Sequence, residues 1–237
     1  MNVQWQSQPS SFRDFDHLSR VIVSCKKCPR LRAYAGSVVS HKPARFADSD
    51  FWGRPVPGFG DLRGRLMIIG LAPARTGALR TGRIFSGDAS ARFLVKALHS
   101  TGFANQPVSE SRDDGLIYAD CYVTAAVKCA PPGDRPTPAE FRSCSPYLDA
   151  EISMMENLEA VLALGAFAFR AYLDHLSRTG ARTKGVRFMH GGVSHFEGGP
   201  TLYASYHPSP RNTNTGVLTQ QMLVKVLRRI RSDFLKA

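Results

Sequence analysis

At 237 residues, 43% of them hydrophobic, the chain is long enough to bury the core of one α/β domain, and no stretch divides it in two. It has neither a basic start followed by an apolar h-region nor a run of about eighteen apolar residues, which argues against a secretory leader and a membrane span and predicts a cytosolic protein. Lysine and arginine number 31 against 19 aspartates and glutamates, a net charge of +12; nucleic-acid phosphate is the commonest partner of such an excess, the alternative being a merely soluble basic protein.

The first chemical signal along the chain is VSCKKCPRL, where Cys25 and Cys28 form a CxxC pair that can bring two thiolates to one metal centre from a turn. A pair of this kind is also compatible with a redox-active or inert role, whereas a structural disulfide is disfavoured in a cytosolic chain. The apolar run LMIIGLAP (66–73) reads as a strand. It leads into GLAPARTGALRTGRIFSGDAS, the densest segment of the chain, where glycines permit close backbone approach and Arg75, Arg80 and Arg83 add charge. No GKS or GKT follows, so this is not a Walker loop, and it lacks a dinucleotide fingerprint. Phe85 is an aromatic in polar surroundings and suits stacking on a base. Asp88 reads either as the N-cap of the following helix or as a catalytic carboxylate.

SARFLVKALHSTGF places Phe93, Leu94, Ala97 and Leu98 on one helical face, with Gly102 as its stop. CYVTAAVK (121–128) is a second strand. Cys121 at its start reads as an ordinary buried cysteine, and Cys129 stands at its end. TPAEFRSCSPYLDAEISMMEN opens on the cap Thr137 and Pro138 and carries Cys144 back towards that strand end. Four thiolates there suit zinc or an iron–sulfur cluster, and spacing does not separate the two. AVLALG, a helix in AFAFRAYLDHLSRTG, an edge strand or hairpin in VRFMHGGVSHF and a buried strand in TLYASYH complete the sheet. HPSPRNTNTG is then a stiff polar loop. Pro208 and Pro210 fix its path, while Ser209, Arg211, Asn212, Thr213 and Asn214 offer donors; it reads as a solvated turn or as a wedge against a duplex. The last helix, GVLTQQMLVKVLRRIRSDFLK, is amphipathic with a solvated basic face. Strand–helix alternation of this kind implies a parallel sheet with ligands bound beyond its carboxyl ends.

GLAPA followed by RTGRIFSGDAS, the strand end VKCAPP, the four cysteines and HPSPRNTNTG together resemble the uracil-DNA glycosylase superfamily, most closely its family 5, the B-type enzymes with an iron–sulfur cluster. The resemblance runs from about Cys25 to the last helix. It implies one domain over residues 1–237, a three-layer α/β/α sandwich with a central, mainly parallel four-stranded sheet, and a monomeric protein acting on damaged DNA. It also implies a 4Fe-4S cluster on Cys25, Cys28, Cys129 and Cys144, a structural tie rather than a chemical actor.

The resemblance further implies that Phe85 stacks on a flipped base, that the turn Gly70, Leu71, Ala72, Pro73 and Ala74 lines the pocket, and that His207 donates to the base oxygen that gains charge, neutral or charged. Other branches of the superfamily place a polar or acidic residue where this chain has Leu71 and Ala72. Asp88 is then the best remaining carboxylate to orient water and steady a cationic sugar. Relatives often carry an asparagine at the end of the second strand, where this chain has Ala125 and Ala126. Without that amide the pocket at Ala126 leaves no polar group unpaired against a wrong base, which predicts loose selectivity: action on uracil opposite guanine, hypoxanthine and other damaged bases, with weaker rejection of thymine. Ser209, Arg211, Asn212 and Asn214 are the expected DNA contacts. The rival readings are a non-catalytic iron–sulfur module that binds DNA or senses oxidants, and the same fold with zinc.

Overall fold

The structure, a computed structural model, describes residues 12–234. Its strands are β1 (Phe59–Gly60), β2 (Leu66–Gly70), β3 (Cys121–Ala125), β4 (Ala160–Leu164), β5 (Val193–Ser194) and β6 (Thr201–Ser205). The helices are α1 (Phe15–Ser24), α2 (Pro29–Ser40), α3 (Ala78–Thr81), α4 (Ala89–Ser100), α5 (Pro138–Met154), α6 (Ala166–Arg178), α7 (Pro210–Asn214) and α8 (Gln220–Phe234). No helix among the described residues is long and apolar enough to cross a membrane.

The strands lie in the order β1-β3-β2-β4-β6-β5. The inner four are parallel and the two edges antiparallel. Because both faces of the inner strands are covered, their side chains are apolar almost without a break rather than alternating. Ile68, Val123 and Leu162 join Leu94 and Leu98 of α4 and Leu227 and Ile230 of α8 on one face. Met67, Ile69, Val161 and Leu202 join Leu148 of α5 and Phe169 and Tyr172 of α6 on the other. The three layers follow from that division.

Topology fixes where a ligand belongs. From β2 the chain crosses over α4 to β3 on one side, then crosses back over α5 to β4 on the other side of β2. The order therefore reverses at the carboxyl end of β2, and open sheets bind ligands at such a switch point. The segment leaving it is the glycine-rich loop that ends at Asp88.

Several expectations need correction. The sheet has six strands rather than four. The edge strand expected near VRFMHGGVSHF is β5, whereas β1 sits in PVPGFG, too short and too rich in proline and glycine to show a period. The runs 66–73 and 121–128 end as strands at Gly70 and Ala125, although Ala126 N–H still donates to the Gly70 carbonyl and Val127 N–H to that of Leu71, both at 3.0 Å. Part of the HPSPRNTNTG loop is the short helix α7, which Pro210 starts because its fixed φ suits a first helical turn. Arg83 adds no surface charge: it is buried and ion-paired with Asp114. The last helix is described to Phe234, and Leu235 and Lys236 lie outside the described residues. Helices α1 and α2 were not anticipated, although Leu18 and Ile22 are spaced for one buried helical face and Asp14 caps it from outside.

Thr137 caps α5 as expected, and Glu140 completes the cap, each side chain bonding the other's backbone. Deeper in that helix Glu151, whose side chain is 0% exposed, meets Lys128 Nζ at 2.6 Å, with Lys128 only 1% exposed. The ammonium also donates to Thr124 Oγ1 and to the Ala125 carbonyl. Glu151 accepts further bonds from Tyr122, Thr124 and Gly58 N–H. A buried pair is tolerable only when its remaining donors and acceptors are satisfied in this way. Glu151→Ala strands the ammonium and should cost about 3–5 kcal/mol, seen as a lower urea midpoint at unchanged m. The double replacement K128M/E151L should remain below the parent, because Tyr122 and Gly58 N–H lose their acceptor.

Candidate active site

Gly70 ends β2 directly beneath the Phe85 ring. A Cβ built there would lie 2.8 Å from the ring, so glycine is what allows the phenyl group to lie flat on the strand end. Phe85 holds φ at 49°, the left-handed region that non-glycine residues avoid. Such strain persists only where the surroundings enforce it. The ring is 8% exposed and shares its cluster with Ala125. Ala126 falls in the cluster on the other side of the sheet, so the two alanines expected at the pocket are divided between the two faces.

His207 follows β6 and faces Phe85, with ring centroids 6.1 Å apart and planes inclined by 33°. Three contacts set its position. Gly165, at φ 89°, brings the end of β4 so close that a Cβ would stand 3.1 Å from that of His207. Gly165 N–H donates to the Ser205 carbonyl at 2.8 Å. Asn212 Nδ2 donates to the His207 carbonyl at 2.9 Å, so this amide is committed inside the loop, while Arg211 and Asn214 are exposed and Ser209 half-buried. Behind this loop His190 stacks on Tyr206 at 5.0 Å and accepts from its N–H at 3.2 Å. Burial pulls the His207 pKa down to about 4. The imidazole is therefore neutral near neutral pH, a choice that sequence left open.

Asp88 is the N-cap of α4, with Oδ1 accepting from Ala91 N–H at 2.8 Å. A Cβ on Gly77 would overlap Oδ2. One carboxylate oxygen thus caps the helix while the other lies against the glycine-rich loop. Burial raises the Asp88 pKa, opposed by the Ala91 and Ser90 amides and by Arg92 and Arg80. Leu71, Ala72 and Ala74 are half-buried and Pro73 is buried along the same turn. The roles of Gly77 and Gly165 were not legible in sequence, because what matters is which atom each one faces.

The cysteines form a second centre. Cys25 caps the end of α1 and Cys28 the start of α2. Both line one cavity with Cys129, Cys144, Leu31 and Tyr147. As expected, the helix carries Cys144 to the strand end, where its sulfur accepts from Lys128 N–H at 3.2 Å. Arg30 grips Glu140 through two 2.8 Å bonds and so ties α2 to the start of α5. All four thiols are free, as is the buried Cys121. Burial pushes Cys129 up to about 12 and Cys144 up to about 11. No three His, Cys, Asp or Glu side chains converge on the position of one metal ion among the described residues. The sulfurs surround a hollow rather than a point. Ala72 of the glycine-rich turn packs against this centre.

A family model for the Uracil DNA glycosylase superfamily matches residues 57–231. The chain belongs to that superfamily. Within it, the chain is 49% identical to the Type-5 uracil-DNA glycosylase of Pyrobaculum aerophilum, over 92% of this chain and 93% of that protein. It is 42% identical to the Type-5 uracil-DNA glycosylase of Thermus thermophilus, over 90% and 95%. Likeness to the Type-4 uracil-DNA glycosylase of Thermotoga maritima is weaker, 30% over 65% of this chain and 69% of that protein.

The depressed pKa of His207 carries a sign that can be measured. Neutral imidazole favours the folded state; this contribution is complete above the ordinary value of about 6.5 and fades as pH falls towards about 4. Imidazole ¹⁵N NMR should show His207 neutral at pH about 6 and titrating near about 4. A midpoint at the ordinary value of about 6.5 would contradict the burial described here.

Proposed function

We propose that this protein is a monomeric, monofunctional uracil-DNA glycosylase of broad base selectivity. The observation that carries the reading is the strained Phe85 ring lying on Gly70 and facing a neutral His207 at the switch point of the sheet. The naming of its Type-5 relatives as uracil-DNA glycosylases supports it. The target base leaves the helical stack, at a cost of a few kcal/mol, and lies on Phe85. A base sandwiched between both rings needs about 7 Å, more than the 6.1 Å available. His207 therefore meets the base at its edge as a hydrogen-bond donor and not as a second stacking face.

The bond from C1′ of the deoxyribose to the base nitrogen breaks with its electron pair going to the base. Charge gathers on the base oxygen, where the neutral His207 N–H stabilises it. Positive charge grows on the sugar, steadied by the free oxygen of Asp88, which also orients the water that adds at C1′ and passes its proton to solvent or carboxylate. Ser209, Arg211 and Asn214 hold the phosphates flanking the site, and Asn212 positions His207 through its carbonyl. At the end of β3 no amide reads the base edge, so hypoxanthine and other damaged bases enter alongside uracil.

Cys25, Cys28, Cys129 and Cys144 hold a 4Fe-4S cluster in this reading. Four thiols on one buried hollow match its donor demand, whereas a single zinc requires sulfurs about 2.3 Å from one point. The group would supply a cross-link between α1, α2, the end of β3 and α5. Its four thiols, of which burial raises the pKa of Cys28, Cys129 and Cys144, would become thiolates on binding.

The decisive assay uses labelled duplexes carrying uracil, hypoxanthine or thymine opposite guanine, with alkali to nick abasic sites. Uracil and hypoxanthine duplexes should be nicked and thymine much less; uracil alone would remove the broad selectivity, and no nicking would favour a binding module. Asp88→Asn keeps a capping side chain and should slow single-turnover release about 10²- to 10⁴-fold. His207→Ala should slow it about 10²- to 10³-fold. Both should bind uncleavable duplex within a few-fold of the parent. Anaerobically purified protein should be brown and hold iron and sulfide in equal amounts, and Cys129→Ser should lower its melting temperature. Colourless protein with stoichiometric zinc would instead support the zinc reading.

A further inference from the structure

The segment between α2 and β1 carries aromatic rings interleaved with cations in a pattern that the site above does not use. Arg45 lies over Phe46 with its guanidinium carbon 4.8 Å from the ring centre. Arg54 and Arg112 both lie on Trp52, at 5.7 and 4.5 Å. Lys42 stands over Phe51 at 5.9 Å. The rings are half-buried, whereas Arg45, Arg54 and Arg112 are exposed.

Stacking restrains a guanidinium by its face and leaves the N–H edge unused. Among the described residues, the side chains of Arg45, Arg54 and Arg112 make no hydrogen bond or ion pair, so their donors are uncommitted. Lysine or arginine side chains waving in solvent lose rotamer freedom on binding, whereas these are already restrained. Asp48, Asp50 and Asp113 are the acids of this region against Lys42, Arg45, Arg54, Arg80 and Arg112.

The surface is continuous with the candidate active site. Trp52 N–H donates to the Arg80 carbonyl at 2.8 Å and Gly53 N–H to that of Leu79 at 3.0 Å. The Trp52 ring packs on Gly82. Arg80 itself lies 4.6 Å from the Phe46 ring and donates to the Gly87 carbonyl at 3.2 Å, one residue before Asp88. Ring, arginine and loop backbone form one path from Phe46 to the catalytic carboxylate.

The geometry points to this face as the track for the phosphodiester backbone of the DNA strand beyond the flipped nucleotide, with Arg45, Arg54 and Arg112 as its phosphate contacts. The proposal rests on the glycosylase reading for the identity of the polyanion. Planar, pre-restrained guanidinium groups suit phosphate better than ammonium groups do, and the track gives part of the net charge a place.

The test compares the parent with R45A/R54A/R112A and with K96A/K225A/R228A, which removes equal charge from exposed positions on α4 and α8. The probe is a labelled duplex with one 2′-fluorinated deoxyuridine, which resists cleavage, titrated over a salt series. The first variant should bind about tenfold or more weakly and lose about 2–3 from the slope of log affinity against log salt, at about 0.9 per phosphate contact. Base release from a saturating uracil duplex in a single turnover should stay within about twofold, because uniform binding is what was removed. The second variant should remain within about threefold of the parent in affinity. Unchanged affinity and slope in the first variant, or equal losses in both, would overturn the track. If the parent released no base at all, the glycosylase reading would fall, while affinity and slope would still decide whether this face binds DNA.

Discussion

The Lys128–Glu151 pair is the constraint on which the rest of the molecule hangs. Taking both charges out of water is costly, and the cost is met only because the two meet each other and four further polar groups close on them: Thr124 and Tyr122 of β3, the Ala125 carbonyl at its end, and Gly58 N–H before β1. Pulling α5 onto the end of β3 has two effects. It sets Cys144 against the Lys128 backbone, so the cysteine centre can close. It also fixes the end of β3 beside Gly70, whose carbonyl bonds Ala126. The candidate active site and the cysteine centre are thus two sides of one strand end, with Ala72 in the turn between them.

Rigidity at that end comes from backbone approach more than from side-chain bonds. Gly70 admits the Phe85 ring, Gly77 admits an Asp88 oxygen, and Gly165 admits His207. Each glycine is needed for what stands over it, and each removes a Cβ from the floor or wall of the site. The reward is pre-organisation. A ring in a strained backbone and an imidazole backed by a strand end do not have to be ordered when substrate arrives.

Much of this was legible from residue order. Continuous apolar runs located the four inner strands because a sheet covered on both faces has no polar side to display, and Thr137-Pro138 announced α5 through its cap. Asp88 was legible as a helix cap, a role its Oδ1 fills, while Oδ2 lies against Gly77 of the glycine-rich loop. What could not be read was anything that depends on a distant partner. Glu151 looked like one acid among several on a helix, and Lys128 like a strand end. Arg83 looked like surface charge in a polar loop until Asp114 and Ser109 came round to bury it. The tautomer-setting bond from the Tyr206 amide to His190, and the one from Asn212 to the His207 carbonyl, join residues whose sequence spacing has no periodic signature.

Net charge is the feature most changed by folding. The sequence excess of +12 suggests a generally basic surface, yet acids and bases are spent unequally. Glu140, Glu151, Asp114, Asp120 and Asp149 are all taken up by ion pairs with Arg30, Lys128, Arg83, Arg65 and the His175–Arg178 couple. Each pair cancels locally, so the surplus cations lie elsewhere, and among them Arg45, Arg54 and Arg112 have exposed heads and unspent donors and stand on aromatic rings beside the glycine-rich loop. Paired charges contribute little beyond about a Debye length of 8–10 Å at physiological salt, so the unpaired cations are the ones a polyanion meets. In the proposed track, folding turns part of a bulk excess of charge into a direction of approach, along the stacked arginines towards the glycine-rich loop.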